Sequence, residues 1–264
     1  MLGNEDELLL SSQNSSSKIA ANLVGNGWLF LENLSSDGEN VDAWELSGNN
    51  SGWGGVIAAF GNGAKINLNS ASAGSSSSSI NFGALGNLNV NESTRLGNLD
   101  FDNNLTVNVA SGKTFSIDKG LTSNIRWLDD STLKIDGGGT MILENNSGKS
   151  YYGATDITGD SVLVVKGDNT ADTEYGAYRR PTTLSDGGTI VLDYSGEGRD
   201  GKWSSLWNSV YNINGNGGIT VYDVLKLAQN EYGQLSYFAG VVDFADDINF
   251  TGEGDNQLNF RVDN

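Results

Sequence analysis

The chain has no cysteine and no histidine, one proline (Pro181) and two methionines among 264 residues. Without cysteine there is no disulfide framework, thiolate metal site, cysteine nucleophile or haem attachment. Without histidine there is no Ser-His-Asp triad, imidazole metal ligand or imidazole base. Long apolar runs are missing as well. Nothing approaches the ~20 residues of a membrane-spanning helix, so no direct membrane insertion is expected. Leu8-Leu9-Leu10 is short and follows Glu5, Asp6 and Glu7, the wrong flank for a signal peptide. Positive charge is scarce: 15 Lys+Arg stand against 33 Asp+Glu, a net of −18. Nucleic acid and anionic membranes reward clustered positive charge, so neither is an expected partner.

What is abundant is equally telling. There are 36 glycines and 32 asparagines, about a quarter of the chain, with 6 Trp, 9 Tyr and 9 Phe. The glycines have no three-residue period, which excludes collagen. The aromatics and the many Val, Ile and Leu supply core material that a disordered acidic chain lacks. A chain of this length can bury ~70% of its unfolded surface without staples.

The dominant pattern is short alternating strands between Gly, Asn, Ser and Asp turns. Lys65–Asn69, Leu88–Val90, Leu105–Val109, Thr114–Ile117, Leu133–Ile135, Met141–Leu143 and Ile190–Leu192 are examples. Alternation puts every second side chain on one face. Apolar pulses every ~8–12 residues suit either a β-sandwich or a solenoid. Three features favour the solenoid. Asn lies within strands as well as turns, where stacked amides can form ladders. Proline is nearly absent, as expected when most strands are paired on both sides. The pattern also runs on without a mid-chain linker. The fold expected is all-β, a right-handed parallel β-solenoid over 1–264, with a β-sandwich as the alternative. It reads as regular over 41–167, irregular over 168–240 with a short helix at 223–232, and ends in strands over 241–264. At ~20–25 residues per turn this gives roughly ten turns. Residues 1–30 and 235–264 are the expected caps. The Ser-rich stretch near the start reads as loose, and Ser75–Ser79 as a loop.

Two segments look like copies of one unit. Leu46-Ser47-Gly48-Asn49-Asn50-Ser51-Gly52-Trp53, running on to Val56-Ile57, is similar to Leu143-Glu144-Asn145-Asn146-Ser147, running on to Tyr152-Gly153-Ala154-Thr155-Asp156-Ile157. Each is followed by a turn and another strand, Ala64–Leu68 and Ser161–Val165. The stretch from Thr140 to Val164 resembles the passenger repeat of bacterial autotransporters, and the earlier copy is similar. That resemblance covers about 50 residues. It implies a parallel β-helix secreted by, or displayed on the outer membrane of, a Gram-negative bacterium. The chain departs from that pattern by an insertion, Gly148-Lys149-Ser150, and by the irregularity after residue 168. No translocator barrel lies within the 264 residues.

Chemistry without His or Cys falls to carboxylates. The Asp-Thr-Gly or Asp-Ser-Gly triplet of aspartic proteases is absent. A catalytic pair would therefore be assembled from separate turns, as paired carboxylates are for glycoside or peptide hydrolysis. Asp168, Asp172, Glu174 and Asp186, on the largest break in the pattern, are the candidates; solvated loop acids are the alternative. Tyr151, Tyr152, Tyr175, Tyr178, Trp203 and Trp207 lie in or beside the same loops and are candidate ligand-binding residues, with Arg179 and Arg180 as anchors for an anionic group. Capping of the core is the other reading of these rings. Trp28, Trp53 and Trp127 lie in patterned segments and read as core. Asp100-Phe101-Asp102-Asn103-Asn104 resembles the start of a calcium loop but lacks its Gly and distal Glu, so no metal and no cofactor is expected.

Three functions follow as expectations. The first is a surface module contacting host or matrix glycoprotein, mucin-like, through exposed loops. The second is a carboxylate-dependent glycoprotein hydrolase working at acid pH. The third is a passive stalk. Self-association stays open.

Overall fold

In a computed structural model of the chain, the strands form two long parallel sheets that face one another across a continuous apolar core. The structure describes residues 2–12, 17–34, 43–61, 63–83, 85–123, 131–144, 153–166, 181–193, 210–213, 218–222, 242–244 and 249–251. Eleven strands make the first sheet. They are β1 (Glu7–Ser12), β3 (Trp28–Asn33), β5 (Val56–Gly61), β7 (Ser79–Phe82), β9 (Thr94–Phe101), β11 (Thr114–Ser123), β13 (Thr140–Leu143), β15 (Val162–Lys166), β17 (Thr189–Asp193), β19 (Gly218–Tyr222) and β21 (Asn249–Thr251). Ten make the second: β2 (Ser17–Ile19), β4 (Trp44–Leu46), β6 (Ala64–Leu68), β8 (Gly86–Val90), β10 (Leu105–Val109), β12 (Thr132–Asp136), β14 (Ala154–Ile157), β16 (Pro181–Leu184), β18 (Val210–Ile213) and β20 (Val242–Phe244).

The chain alternates between the sheets, and each strand pairs with the strand two places on. Every ladder is parallel. This is a parallel β-solenoid, and the parallel register rules out the β-sandwich, whose sheets are antiparallel. No helix occurs among the described residues, and none there is long and apolar enough to cross a membrane. The helix expected at 223–232 lies outside the described residues. Strands β16 to β19 lie inside the stretch read as irregular, and β1 begins at Glu7 inside the expected cap.

Stacking in register turns the alternation of each strand into columns. Trp44, Ile66, Leu88, Val107, Ile135, Ile157 and Leu184 form one inward column of the second sheet, all buried. Leu29, Ile57, Ile80, Leu99 and Leu121 form another in the first sheet. Beside it, Ala59, Phe82 and Phe101 are stacked and buried. Phe101 thus belongs to the core, and Asp100 lies on the outward row of β9.

The outward rows of the ten-stranded sheet are mostly polar, and asparagine joins the coils there. Asn89 Nδ2 donates to Asn67 Oδ1 at 2.6 Å, and Asn108 Nδ2 donates to Asn89 Oδ1 at 2.9 Å. A second pair, Asn91 to Asn69, spans the neighbouring corner at 2.6 Å. Side-chain bonds of this kind join residues 19 to 28 positions apart, one coil to the next. Turns need φ > 0 at a few places. Gly137 has φ of 96°, and a Cβ there would lie 2.5 Å from the Val109 carbonyl oxygen, so only glycine fits. Pro181 opens β16, where a strand tolerates a missing N–H.

Two sequence expectations change and one is refined. The run Ser75–Ser78 is a loop as expected, with Ser79 opening β7, and its ends are tied down: buried Ser75 Oγ donates to the Trp53 carbonyl at 2.6 Å, and buried Ser78 Oγ donates to the Ser75 carbonyl at 2.9 Å. The Ser-rich start is partly built into strands, since Ser11 and Ser12 close β1 and Ser17 opens β2. The two similar segments are out of phase. The first runs β4–β5–β6 and begins on the ten-stranded sheet; the second runs β13–β14–β15 and begins on the eleven-stranded one. They share strand and turn chemistry but are not equivalent positions of one coil.

Truncating the core and cutting the amide ladder should differ in scale. Phe101→Ala should cost about 3–5 kcal/mol. Asn89→Ala, which removes two part-exposed hydrogen bonds, should cost about 1 kcal/mol. Urea unfolding of both variants at pH 7 checks this.

Candidate functional site

The described surface carries an aromatic apolar face at β1, β3 and β5; a second outward apolar row, Ile142, Val164 and Val191 on β13, β15 and β17, is aliphatic. On β3 the inward residues are Leu29, Leu31 and Asn33, so Trp28, Phe30 and Glu32 point outward. On β5 Val56, Ala58 and Phe60 point outward opposite Ile57 and Ala59. The register sets Leu9 beside Phe30 and Phe30 beside Ala58, with Glu7, Trp28 and Val56 in the row before and Ser11, Glu32 and Phe60 in the row after. Leu9, Trp28, Phe30, Val56, Ala58 and Phe60 therefore form one patch over three strands, about 10 Å by 13 Å from strand spacing and rise.

Its rings are ordered against one another. Trp28 stacks on Phe30 at 5.7 Å between centroids and 14° between planes, and Phe30 meets Phe60 edge-on at 6.2 Å. Trp28 stays 39% exposed and Leu9 56%. The rim is polar: Ser11 Oγ donates to Glu32 Oε2 at 2.6 Å, and Ser79 and Asn81 on β7 follow Val56 and Ala58 in register. Trp28, read from the sequence as core, is the correction here. The strand alternation holds, but its phase is fixed by Leu29 and Leu31, which leaves Trp28 outside. Trp53 is buried as expected.

A second feature is a column of charge along consecutive coils. β11 carries a bulge between Ile117 and Gly120, where it spends one residue more than β9. Asp118 sits in that bulge, 3.5 Å from Arg95 on β9. Burial pushes its carboxyl above the ordinary value; Arg95 opposes the rise, and Glu144 on the next coil adds to it. Glu144 is paired with Lys166 of the following coil at 3.1 Å. Asp136 shows the opposite behaviour. Its hydrogen bond to Lys134, 2.9 Å away on the same outward face, holds its carboxyl below the ordinary value.

Of the candidate carboxylates, Asp186 is described. It is an exposed turn residue with φ of 49°; its carboxylate accepts from Thr158 Oγ1 at 3.2 Å, and its carbonyl accepts from the Asp160 N–H. Asp160, with φ of 58°, is its counterpart on the preceding coil, so both aspartates serve a left-handed turn. Asp168, Asp172 and Glu174 lie outside the described residues, as do Tyr151, Tyr152, Tyr175, Tyr178, Arg179, Arg180, Trp203, Trp207 and Trp127. No group of three or more Asp or Glu converges on a cation position among the described residues. Sequence reasoning missed Asp118, whose signal was slight: the polar pair Asp118-Lys119 breaks the alternation of the strand begun at Thr114. It also missed the patch, whose signal was two consecutive strands with aromatics on the same parity as Glu32.

No protein-family model matches the chain, and no curated protein or solved structure matches it either.

The two carboxyls predict opposite pH signatures. A raised folded pKa contributes stability below the ordinary value near 3.9 that is lost as pH rises through the raised one. A lowered pKa contributes stability above that value, lost as pH falls through the lowered one. Asp118→Asn should therefore gain on the unaltered chain between pH 3 and pH 7, while Asp136→Asn should lose over the same rise. Thermal melts at the two pH values, compared in sign, read this.

Proposed function

We propose that the chain is an extracellular or surface-displayed module, passenger-like, that contacts host or matrix glycoprotein of the mucin class. The observation that carries this is the outward aromatic patch of β1, β3 and β5. A rigid solenoid has its core sealed from within, so an exposed Trp28 packed on Phe30, which in turn meets Phe60, adds nothing to that core. Ordered aromatic surface with a hydrogen-bonding rim is what sugar faces and short apolar segments bind. The patch is far smaller than the ~800 Å² per partner of a standard protein interface, so it fits a short stretch of ligand. Glu7, Glu32 and the net charge of −18 oppose anionic sugars, which selects neutral glycan over sialylated or sulfated glycan. The repeat resemblance supports the Gram-negative surface setting.

A second reading has its own observation. The raised Asp118, set in a bulge beside Arg95 and near Glu144, is the arrangement that suits a carboxylate acid. In a hydrolase working at acid pH it would hold the proton for the leaving group.

Binding to immobilised mucin should be measured before and after sialidase treatment, with a denatured unglycosylated protein as control. The unaltered chain should bind desialylated mucin most strongly. Trp28→Ala should weaken that binding about tenfold or more, while Leu85→Ala, at an exposed site elsewhere, leaves it unchanged. Equal binding by Trp28→Ala removes the patch from the function, and no binding to any surface leaves the stalk. Release of sugar or peptide with an acid optimum, abolished in Asp118→Asn, establishes the hydrolase instead.

A further inference from the structure

The aromatic patch lies between two carboxylates. Glu7, exposed on β1, stands beside Trp28 in register, one strand spacing or ~4.8 Å away. Glu32 lies on β3 beside Phe60 of β5, ~13 Å along the strand from Trp28. The rings of Trp28, Phe30 and Phe60 fill the interval. Ser11 Oγ donates to one oxygen of Glu32 at 2.6 Å and holds that carboxylate at the rim. No positive charge compensates the pair. β1, β3, β5 and β7 carry no lysine or arginine, and neither glutamate has an ion-pair partner among the described residues. Glu92, Asp118, Asp136 and Glu144, by contrast, each meet a lysine or arginine.

A flat ring surface with a carboxylate at each end attracts a ligand that is flat, apolar on its faces and positively charged. The face of an indole draws a cation within ~6 Å of its centroid, and a neighbouring carboxylate adds to that pull. We propose that the patch takes a cationic amino sugar, a hexopyranose whose 2-amino group is free and protonated. Its C–H face lies on the rings, and its ammonium points to Glu7 or Glu32. This rests on the glycan reading of the same patch and extends it, since the charges that repel a sialylated chain attract an aminated one. Two acids ~13 Å apart suit an oligomer with an amine on every ring, because both can be met by one chain. A lysine-rich peptide brings the charge, but its ammonium stands at the tip of a flexible stem and offers the rings no flat face.

One sugar backbone in two forms separates charge from shape. The full chain is titrated calorimetrically at pH 6, where a sugar amine carries its proton, with β-1,4-linked glucosamine hexamer and with its N-acetylated counterpart. The amine form should bind about tenfold more tightly at low salt, and most of that gap should close at 0.5 M NaCl, because exposed charges are screened. Glu7→Gln and Glu32→Gln should each weaken amine binding about threefold. Glu45→Gln, the same charge change on the ten-stranded sheet, should leave it unaltered. Equal affinity for the two forms, or a gap that survives the combined Glu7→Gln and Glu32→Gln substitutions, overturns the amino sugar and leaves the glycan reading standing. So does failure of both hexamers while desialylated mucin still binds through Trp28. Failure of the hexamers and of mucin together overturns both. Oligolysine that binds as tightly as the amine hexamer and displaces it makes the patch a reader of basic peptide and overturns the sugar.

Discussion

Parallel stacking in strict register is the constraint on which everything else here depends. Each residue sits beside its counterpart on the neighbouring coils, so a side chain is chosen for its column as much as for its strand. Inside, the column from Trp44 to Leu184 excludes water because every member is apolar. Outside, the same rule joins Asn67, Asn89 and Asn108 through their amides, with Asn89 both donor and acceptor.

The rule also explains where function can sit. A solenoid's core is closed by its own inward rows, so apolar residues on outward rows serve something else. The Leu9–Trp28–Phe60 patch is where, among the described residues, aromatic rings break the outward polarity; Ile142, Val164 and Val191 break it with aliphatic side chains. The β11 bulge is the place where it breaks the register, and there Asp118 acquires an altered titration. The two departures are in different coils, which is why a binding reading and a hydrolytic reading can be separated by single substitutions.

The sequence by itself determined an all-β chain of short strands and favoured a solenoid, while the parallel pairing that excludes a sandwich came from the structure. Alternation, turn chemistry, scarce proline and in-strand asparagine are local properties, and strands such as Lys65–Asn69 and Leu105–Val109 were legible from them. The loop-borne candidates were legible as residue types but not as places, and all but Asp186 lie outside the described residues. Register was the part the sequence withheld. A period-two pattern has two phases, and only packing chose the one that buries Leu29 and Leu31 and expels Trp28. Only the pairing of β4 and β13 with different sheets revealed that the two similar segments are not equivalent coils. Only stacking brought Arg95, Asp118 and Glu144 together, because residues about twenty apart in sequence become neighbours when each coil lies on the last.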